Sequence, residues 1–299
     1  MEVMDAALLT PPRRLNVPVS NRWGEGEMSV LDFGDERRPV DLVFVHANGF
    51  NAATYRSLLA PLSASLRILA PDLRGHGQTR LPTETQGRWS WHDHRDDLAA
   101  LFDTLDGPPV ALAGHSMGAT SALLAAAERP DKISRLALFD PVVMPRGVSL
   151  MTALPGLRAL PRHWPITKGA MRRRNQFDSP EQALASWRGR GAFKGWSEMM
   201  LADYVSDAFV PSEGGGVRLA CTPQWEASNY ASQSHNPWRA LRRLERPVHV
   251  LKAERGSVCG LAAGSRLRQL TVETVAGGGH LFPMTYPDIS RDALFDAAT

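Results

Sequence analysis

The stretch that most constrains the fold is residues 109–126, PVALAGHSMGATSALLAA, where an apolar run turns into an Ala/Leu-rich segment. The apolar run is typical of a buried strand, and the segment after Gly118 favours a helix. Between them, Gly114 and Gly118 flank Ser116, and glycines allow backbone segments to approach closely because they lack Cβ atoms. The sequence therefore predicts a strand, a tight turn at Ser116 and a helix in direct succession.

Strand-like and helix-like segments alternate on both sides of this turn. The predicted strands are MSVLDFG, VDLVFVH, LRILAPDL, PVALAG and ISRLALFD. The predicted helices are TYRSLLAPL, SWHDHRDDLAALFDTL and a helix from about Met117 to Ala127. In the second helix, we expect Ser90 to be the N-cap, with Asp93 three residues later. This alternation predicts an α/β fold with a mostly parallel central sheet and helices on both faces.

The alternation stops after Asp140 and resumes at PVHVLKA, QLTVETVAG and a terminal helix near 289–297. Because the sheet pattern resumes, we predict one core domain made of residues 1–140 and 247–299. Residues 141–246 are predicted to form a mainly helical cap insertion rather than a second domain. Five of the eight tryptophans fall there, either as cap core or as pocket lining: Trp164, Trp187, Trp196, Trp225 and Trp238.

Composition limits the classes of partner. The 299 residues are 43% hydrophobic and 22% charged, which is typical of a globular chain with a sizeable core. The net charge of +3 comes from dispersed arginines, and the run Arg172-Arg173-Arg174 has no interleaved aromatics, so no nucleic-acid partner is expected. No signal peptide and no membrane-spanning run are predicted, and Cys221 and Cys259 lack metal-ligand spacing. We expect a cytoplasmic protein without a membrane partner; its oligomeric state stays open.

The serine at the turn needs a base and an orienting acid to act as a nucleophile. His280, in VAGGGHLFP after the last predicted strand, is the predicted base, ahead of His115, His163, His235 and His249. The orienting acid is expected between Ser116 and His280 in the chain, at the end of a predicted strand. Two carboxylates meet this description. Asp140 ends LALFD and is preferred, and Glu254 follows VHVLKA and stays open as the alternative acid.

Attack by serine also needs donors for an oxyanion. The loop His46-Ala47-Asn48-Gly49-Phe50 follows an early strand, so a backbone N–H near Asn48 is one expected donor. The N–H of Met117, at the start of the helix after Ser116, is the other. The alternative for the loop is a simple chain reversal at Gly49.

No metal or organic cofactor is predicted. The run His92-Asp93-His94-Arg95-Asp96-Asp97 is similar to the dinuclear metal pattern HxHxDH. However, its last position is aspartate rather than histidine, and the run opens a helix instead of ending a strand. A polar N-terminal helical turn is therefore the preferred interpretation of this run.

Taken together, these segments resemble the α/β-hydrolase superfamily. The resemblance is carried by HANGF (46–50), APDLRGHGQT (70–79), AGHSMGA (113–119), LFDPV (138–142) and GGGHLFP (277–283). It implies Ser116 as nucleophile, His280 as base and a lid between the sixth and seventh strands. Serine at the elbow argues against the aspartate-dependent dehalogenases and epoxide hydrolases. Many members carry an acid where this chain has Gly256, whereas some carry it in the slot of Asp140.

The resemblance and the residues predict a serine hydrolase of the esterase type. The expected substrate is a small or medium apolar carboxylic ester, cleaved through an acyl-enzyme intermediate without a cofactor. The same set of catalytic residues can cleave lactones, thioesters, amides and C–C bonds next to a ketone, and these stay open as substrates. A small-molecule receptor with little or no turnover is the alternative from another class.

Overall fold

Eight of the eleven strands form one central sheet in the computed structural model, which describes residues 11–262, 264 and 267–299. In chain order the strands are β1 (Arg13–Asn21), β2 (Gly24–Phe33), β3 (Leu42–Val45), β4 (Ile68–Pro71), β5 (Val110–His115), β6 (Ile133–Phe139), β7 (Gln176–Phe177), β8 (Phe209–Pro211), β9 (Val217–Leu219), β10 (Val248–Arg255) and β11 (Leu270–Gly279). The central sheet has the order β1-β2-β4-β3-β5-β6-β10-β11. Neighbours from β4 to β11 are parallel, and β2 is antiparallel to β1 and β4. The predicted mostly parallel sheet is confirmed.

Helices cover both faces of this sheet, as predicted. They are α1 (Arg56–Leu59), α2 (His92–Asp103), α3 (Met117–Glu128), α4 (Arg146–Ala153), α5 (Pro165–Met171), α6 (Pro180–Trp187), α7 (Glu198–Ser206), α8 (Pro223–Ala231), α9 (Pro237–Arg243), α10 (Phe282–Thr285) and α11 (Pro287–Ala298). One apolar core joins the sheet to α2, α3 and α9, and a second joins the other face to α1 and α11. Nearly every residue of α3 is buried, which matches its apolar sequence. The core therefore fixes the helix that begins directly after Ser116.

Two local predictions differ from the structure. Ser90 is not the N-cap of α2: the helix begins after Trp91 without a side-chain cap, and Asp93 pairs with Arg88 instead of completing a capping box. The sequence analysis also missed β1, whose polar residues alternate with partly buried ones. An edge strand of this kind shows a weak hydrophobic pattern because only one face is covered.

We refer to residues 141–246, inserted between β6 and β10, as the cap segment. It contains six helices, α4 to α9, and also a small antiparallel sheet of β7, β9 and β8. The sequence analysis expected mainly helices here and missed the sheet, because its strands have only two or three residues. The boundaries of the predicted core and cap domains stay a prediction.

None of the helices in the described ranges has the length and apolar character needed to cross a bilayer. The prediction that concerns a signal peptide falls on the N-terminal segment, of which residues 1–10 lie outside the described residues.

Candidate active site

Ser116 lies at a sharp turn between β5 and α3. Its backbone adopts φ 55° and ψ −117°, a sparsely populated conformation that only the surrounding structure maintains. A Cβ atom at Gly118 would lie 2.3 Å from the carbonyl oxygens of Val45 and His46, and one at Gly114 would lie 2.8 Å from the Ala119 nitrogen. The glycines on either side of the serine are therefore required by close backbone packing, as the sequence predicted.

His280 approaches Ser116 from the loop after β11. Its Nε2 lies 2.9 Å from the Ser116 Oγ, and its Nδ1 lies 2.6 Å from the Asp140 Oδ2. Neutral imidazole carries one proton, and the carboxylate can only accept, so the Nδ1–H donates to Asp140 and Nε2 accepts from the serine hydroxyl. The structure thus brings together three residues that lie far apart in the chain, in the geometry of a nucleophile, a base and an orienting acid.

The Asp140 carboxylate is buried and receives further donors. Its Oδ1 accepts hydrogen bonds from the Ala253 N–H at 3.0 Å and the Ser257 hydroxyl at 2.5 Å, and its Oδ2 accepts from the Val258 N–H at 3.1 Å. Burial by itself raises the pKa of Asp140, but the hydrogen bonds from His280 and Ser257 outweigh it and lower that pKa below the ordinary value. The carboxylate is thereby kept ionised beside the histidine.

Glu254, the alternative acid, lies in a different environment. Its Oε2 accepts a 2.9 Å hydrogen bond from the Gly277 N–H, and the residue is exposed. The loop that follows Glu254 instead supplies the Ser257 and Val258 donors to Asp140. These two donors were missed by the sequence analysis, because a serine after a strand carries no distinctive signal.

The predicted oxyanion donors lie beside the serine. Ala47 to Phe50 form a turn closed by the Phe50 N–H and the Ala47 carbonyl at 3.2 Å. Asn48 and Met117 both line the cavity that contains Ser116. Among the described residues, neither the Asn48 N–H nor the Met117 N–H donates to another group. Both N–H groups are thus available to an oxygen atom bound in the cavity.

The side chain of Asn48 points toward the cap segment. Its Nδ2 donates to the Glu226 carbonyl at 3.1 Å, and its Oδ1 accepts from the Asn229 Nδ2 at 2.8 Å. Both partners belong to α8. The amide group of Asn48 therefore holds the loop against the cap segment, and its backbone N–H is the donor that we expect to face the cavity.

His115, which precedes the serine, connects the loops of the site. Its Nε2 donates to the His280 carbonyl at 2.8 Å, because a carbonyl oxygen can only accept. Its Nδ1 then accepts from the Tyr55 hydroxyl at 2.7 Å, and Tyr55 in turn accepts from the Ala47 N–H at 3.2 Å. Burial lowers the pKa of His115 to about 3, so the ring stays neutral and keeps this tautomer.

The serine opens into a cavity of about 660 Å³, a size typical of small-molecule sites. Its lining is mostly apolar and comes from the core and the cap segment: Phe50, Trp91, Val142, Met144, Trp164, Ile166, Trp187, Phe193 and Leu281. Arg173 also lines it, but it donates to the Glu226 carboxylate at 2.9 Å and to the Tyr204 hydroxyl at 2.6 Å. The cavity therefore offers mainly apolar surface around the serine.

Of the five cap tryptophans, Trp164 and Trp187 line this cavity, whereas Trp196, Trp225 and Trp238 pack elsewhere. Trp225 Nε1, for example, donates to the Arg74 carbonyl at 2.7 Å.

The other residues considered in the sequence, those of the metal-like run and the two cysteines, lie in packed or hydrogen-bonded positions of the fold. In the run similar to a metal pattern, Asp93 forms an ion pair with Arg88 at 2.6 Å, and His94 Nε2 lies 3.1 Å from both the Asn229 Oδ1 and the Arg88 Nη2. No group of potential metal ligands occurs within the described ranges. Cys221 and Cys259 are buried free thiols, and burial raises the pKa of both, that of Cys259 to about 11.

The sequence also matches a known protein family. The model of the alpha/beta hydrolase family matches residues 42–293, which is most of the chain. The chain belongs to the alpha/beta hydrolase family. The resemblance and the fold predicted from the sequence are thereby confirmed.

Two relatives in this family match over most of both chains. The magnesium-chelatase 30 kDa subunit of Rhodobacter capsulatus is 33% identical over 270 residues, covering 87% of this chain and 87% of its own length. The 2-(acetamidomethylene)succinate hydrolase of Mesorhizobium japonicum is 26% identical over 259 residues, covering 85% and 86%. The crystal structure of an E-2-(acetamidomethylene)succinate hydrolase superposes with a TM-score of 0.75 at 24% identity, covering 95% of this chain and 98% of the other. At that identity, the superposition shows the fold alone.

Proposed function

We propose that this alpha/beta hydrolase is a serine hydrolase that cleaves a small or medium apolar carboxylic ester through an acyl-enzyme intermediate. The observation that carries the proposal is the hydrogen-bonded series from Asp140 through His280 to Ser116, with both ring nitrogens within 2.9 Å of their partners. The similarity to the 2-(acetamidomethylene)succinate hydrolase of Mesorhizobium japonicum supports the reaction class.

In the proposed reaction, His280 Nε2 takes the proton of Ser116 as its Oγ attacks the ester carbonyl carbon. The N–H groups of Asn48 and Met117 hold the oxyanion of the tetrahedral intermediate. Collapse breaks the bond to the alkoxy group, which leaves as the alcohol with the proton from His280. Water then loses a proton to His280, attacks the acyl carbon, and releases the carboxylic acid and free Ser116.

The lining of the cavity supports the apolar substrate. The aromatic and aliphatic side chains around Ser116 favour apolar groups, because burial of such groups gains free energy in proportion to their area. Two arginines line the wall: the half-buried Arg173 is paired with Glu226, and Arg190 is exposed.

Hydrolysis of p-nitrophenyl esters of increasing acyl length tests the proposal. We expect turnover by the wild type, an optimum chain length set by the cavity, and a loss of about 10³-fold or more for Ser116→Ala. Ser121→Ala is the matched control, because Ser121 lies on the same helix and its buried hydroxyl has no hydrogen-bond partner among the described residues.

Mass spectrometry of rapidly quenched enzyme should detect the acyl group on Ser116. Turnover that survives in Ser116→Ala would refute the nucleophile. A folded wild type that binds esters without hydrolysing them would favour the receptor alternative. Hydrolysis confined to thioesters, lactones or amides would keep the mechanism and replace the substrate class.

A further inference from the structure

The outer surface of the cap segment between residues 146 and 172 is unusually apolar for an exposed surface. Six of the eleven exposed large hydrophobic side chains found in the described ranges lie here: Leu150, Leu154, Leu157, Leu160, Ile166 and Met171. Leu150 is 68% exposed and Ile166 is 52% exposed. Scattered exposed apolar residues are normal, whereas six of them within 22 residues of chain favour an interaction surface. We call these six side chains the cap patch.

The chain segment that carries the cap patch contains basic residues and no acidic ones. No acidic residue occurs between Asp140 and Asp178, whereas seven lysines and arginines occur in that interval. Two of them have polar partners inside the cap: Arg173 with Glu226, and Arg174 with Gln182. The other five have no carboxylate partner in the described part of the chain: Arg146, Arg158, Arg162, Lys168 and Arg172.

The packing of the cap segment leaves these apolar and cationic side chains facing outward. Helix α5 and the 3-10 turn Leu160–His163 both pack against α8, which buries Pro161, Thr167 and Ala170 and leaves Ile166 and Met171 exposed. Arg158 and Arg162 stack over Trp89 at 4.2 and 4.4 Å from the ring centre. These cations are therefore ordered on the surface rather than neutralised there.

The cap patch also reaches the rim of the catalytic cavity. Ile166 is exposed and lines the cavity at the same time, and Trp164, two residues earlier, lines it as well. A flat apolar partner covering the cap patch would thus lie against the cavity rim.

We propose that the cap patch docks on the surface of an anionic lipid bilayer. Exposed aliphatic side chains interleaved with lysines and arginines fit this partner, because the side chains enter the headgroup boundary while the cations attract anionic lipids. The sequence analysis expected no membrane partner because no segment spans a bilayer, but docking on the surface needs no spanning segment. A second copy of this chain fits less well, because two positive surfaces repel each other. A nucleic acid would contact the cations through its phosphates but would leave the exposed leucines without an apolar partner.

Docking on a bilayer also indicates a substrate class, namely an ester that partitions into the bilayer and enters the cavity past Ile166. This part of the inference rests on the proposed function. Docking itself does not depend on Ser116. The two proposals can therefore fail separately, since vesicle binding tests the cap patch and hydrolysis of soluble p-nitrophenyl acetate tests the serine.

Cosedimentation of the full chain with vesicles tests the docking. We expect binding to phosphatidylcholine vesicles that contain phosphatidylserine, and at least about tenfold weaker binding to phosphatidylcholine alone. The variants Leu150→Ser with Leu157→Ser, and Lys168→Glu with Arg172→Glu, should each weaken binding to anionic vesicles by about tenfold or more. All four residues lie outside the cavity lining, so hydrolysis of p-nitrophenyl acetate should be unchanged.

Matched controls come from other exposed surfaces. Ile289→Ser with Phe295→Ser changes exposed apolar residues on α11, and Arg242→Glu with Arg243→Glu changes exposed cations on α9, which packs against α3. Both controls should bind anionic vesicles as the wild type does.

Three results would overturn the proposal. The first is a wild type that does not bind anionic vesicles, or cap-patch variants that bind as well as the wild type. The second is binding of a single-stranded oligonucleotide that competes fully with vesicles and is insensitive to the leucine changes. The third is a concentration-dependent dimer, seen by sedimentation without lipid, that the leucine changes abolish.

Discussion

The ring of His115 donates a 2.8 Å hydrogen bond to the main-chain carbonyl of His280. The residue before the predicted nucleophile therefore holds the loop that carries the predicted base. Through Tyr55 the same ring is linked to the Ala47 N–H, at the start of the loop that carries the predicted oxyanion donor Asn48. Three loops of the site thus share one buried, neutral imidazole.

Replacement of His115 tests this positioning role. His115→Phe keeps the ring volume but leaves the His280 carbonyl without this donor and the Tyr55 hydroxyl without its acceptor, so we expect kcat to fall about 10- to 100-fold with little change in KM. His115→Gln, which can both donate and accept, should recover part of the loss. Steady-state kinetics on an ester measures both effects, and an unchanged kcat in the phenylalanine variant would contradict the role.

A pair of variants distinguishes the two predicted acids. Asp140→Asn removes the charge that orients and stabilises His280, and we expect kcat to fall about 10³- to 10⁴-fold. Glu254→Gln changes an exposed carboxylate that accepts from the Gly277 N–H, and its kcat should stay within about twofold of the wild type. The reverse pattern would assign the orienting role to Glu254.

The contact between Asn48 and α8 predicts a coupling between the cap segment and the oxyanion loop. Asn48→Ala keeps the backbone N–H but removes both side-chain hydrogen bonds, so we expect kcat to fall about tenfold with KM nearly unchanged. Ser228→Ala is the control, because the Ser228 hydroxyl, also on α8, donates to the Trp225 carbonyl at 2.8 Å and accepts from Arg88 at 3.2 Å, and neither contact involves the Asn48 loop. Equal kcat values for the two variants would disprove the coupling.

The turn at Ser116 predicts a steric penalty at Gly118. A Cβ there would lie 2.3 Å from two backbone carbonyl oxygens, so Gly118→Ala should lower the free energy of unfolding by about 2–3 kcal/mol. Gly169→Ala, on α5 with no atom within 4 Å of the added Cβ, should instead raise it by about 0.5–1 kcal/mol. Urea unfolding measures both, and a Gly118→Ala protein as stable as the wild type would rule out the close packing.

Buried histidines predict a loss of stability in mild acid. Burial lowers the pKa of His46 and His94 to about 4 and that of His115 and His235 to about 3. Below the unfolded pKa of about 6.5, the unfolded chain binds more protons than the folded chain, so stability falls as the pH falls toward these folded values. Each histidine contributes about 1.4 kcal/mol per pH unit in that window.

His235→Phe isolates one of these contributions. The new ring can keep the stacking on Trp91, whose ring centre lies 4.2 Å away, and it binds no proton. Between about pH 7 and pH 5, we expect the free energy of unfolding to fall by about 2 kcal/mol less in this variant than in the wild type. His163→Phe, on an exposed turn, is the control. Identical pH dependences for His235→Phe and the wild type would refute this contribution of His235.

Much of the fold was predictable because its signals are local. The strand before Ser116, the helix after it and the strand that ends at Phe139 follow from hydrophobic patterns within about ten residues, and each is confirmed. The edge strand β1 and the short strands of the cap segment were missed, because their patterns are weak or too short to detect.

The sequence by itself determined the fold family, the serine turn and a short set of possible partners for it. Only the tertiary structure decided which carboxylate contacts His280, because Asp140 and Glu254 both stand at the ends of strands predicted from the sequence, although Glu254 in fact lies within β10. It also decided that Ser257 contacts Asp140 and that Asn229 contacts Asn48, across 117 and 181 residues of chain. Such hydrogen bonds depend on how distant loops are placed by the sheet and the cap segment, and no local pattern encodes that placement.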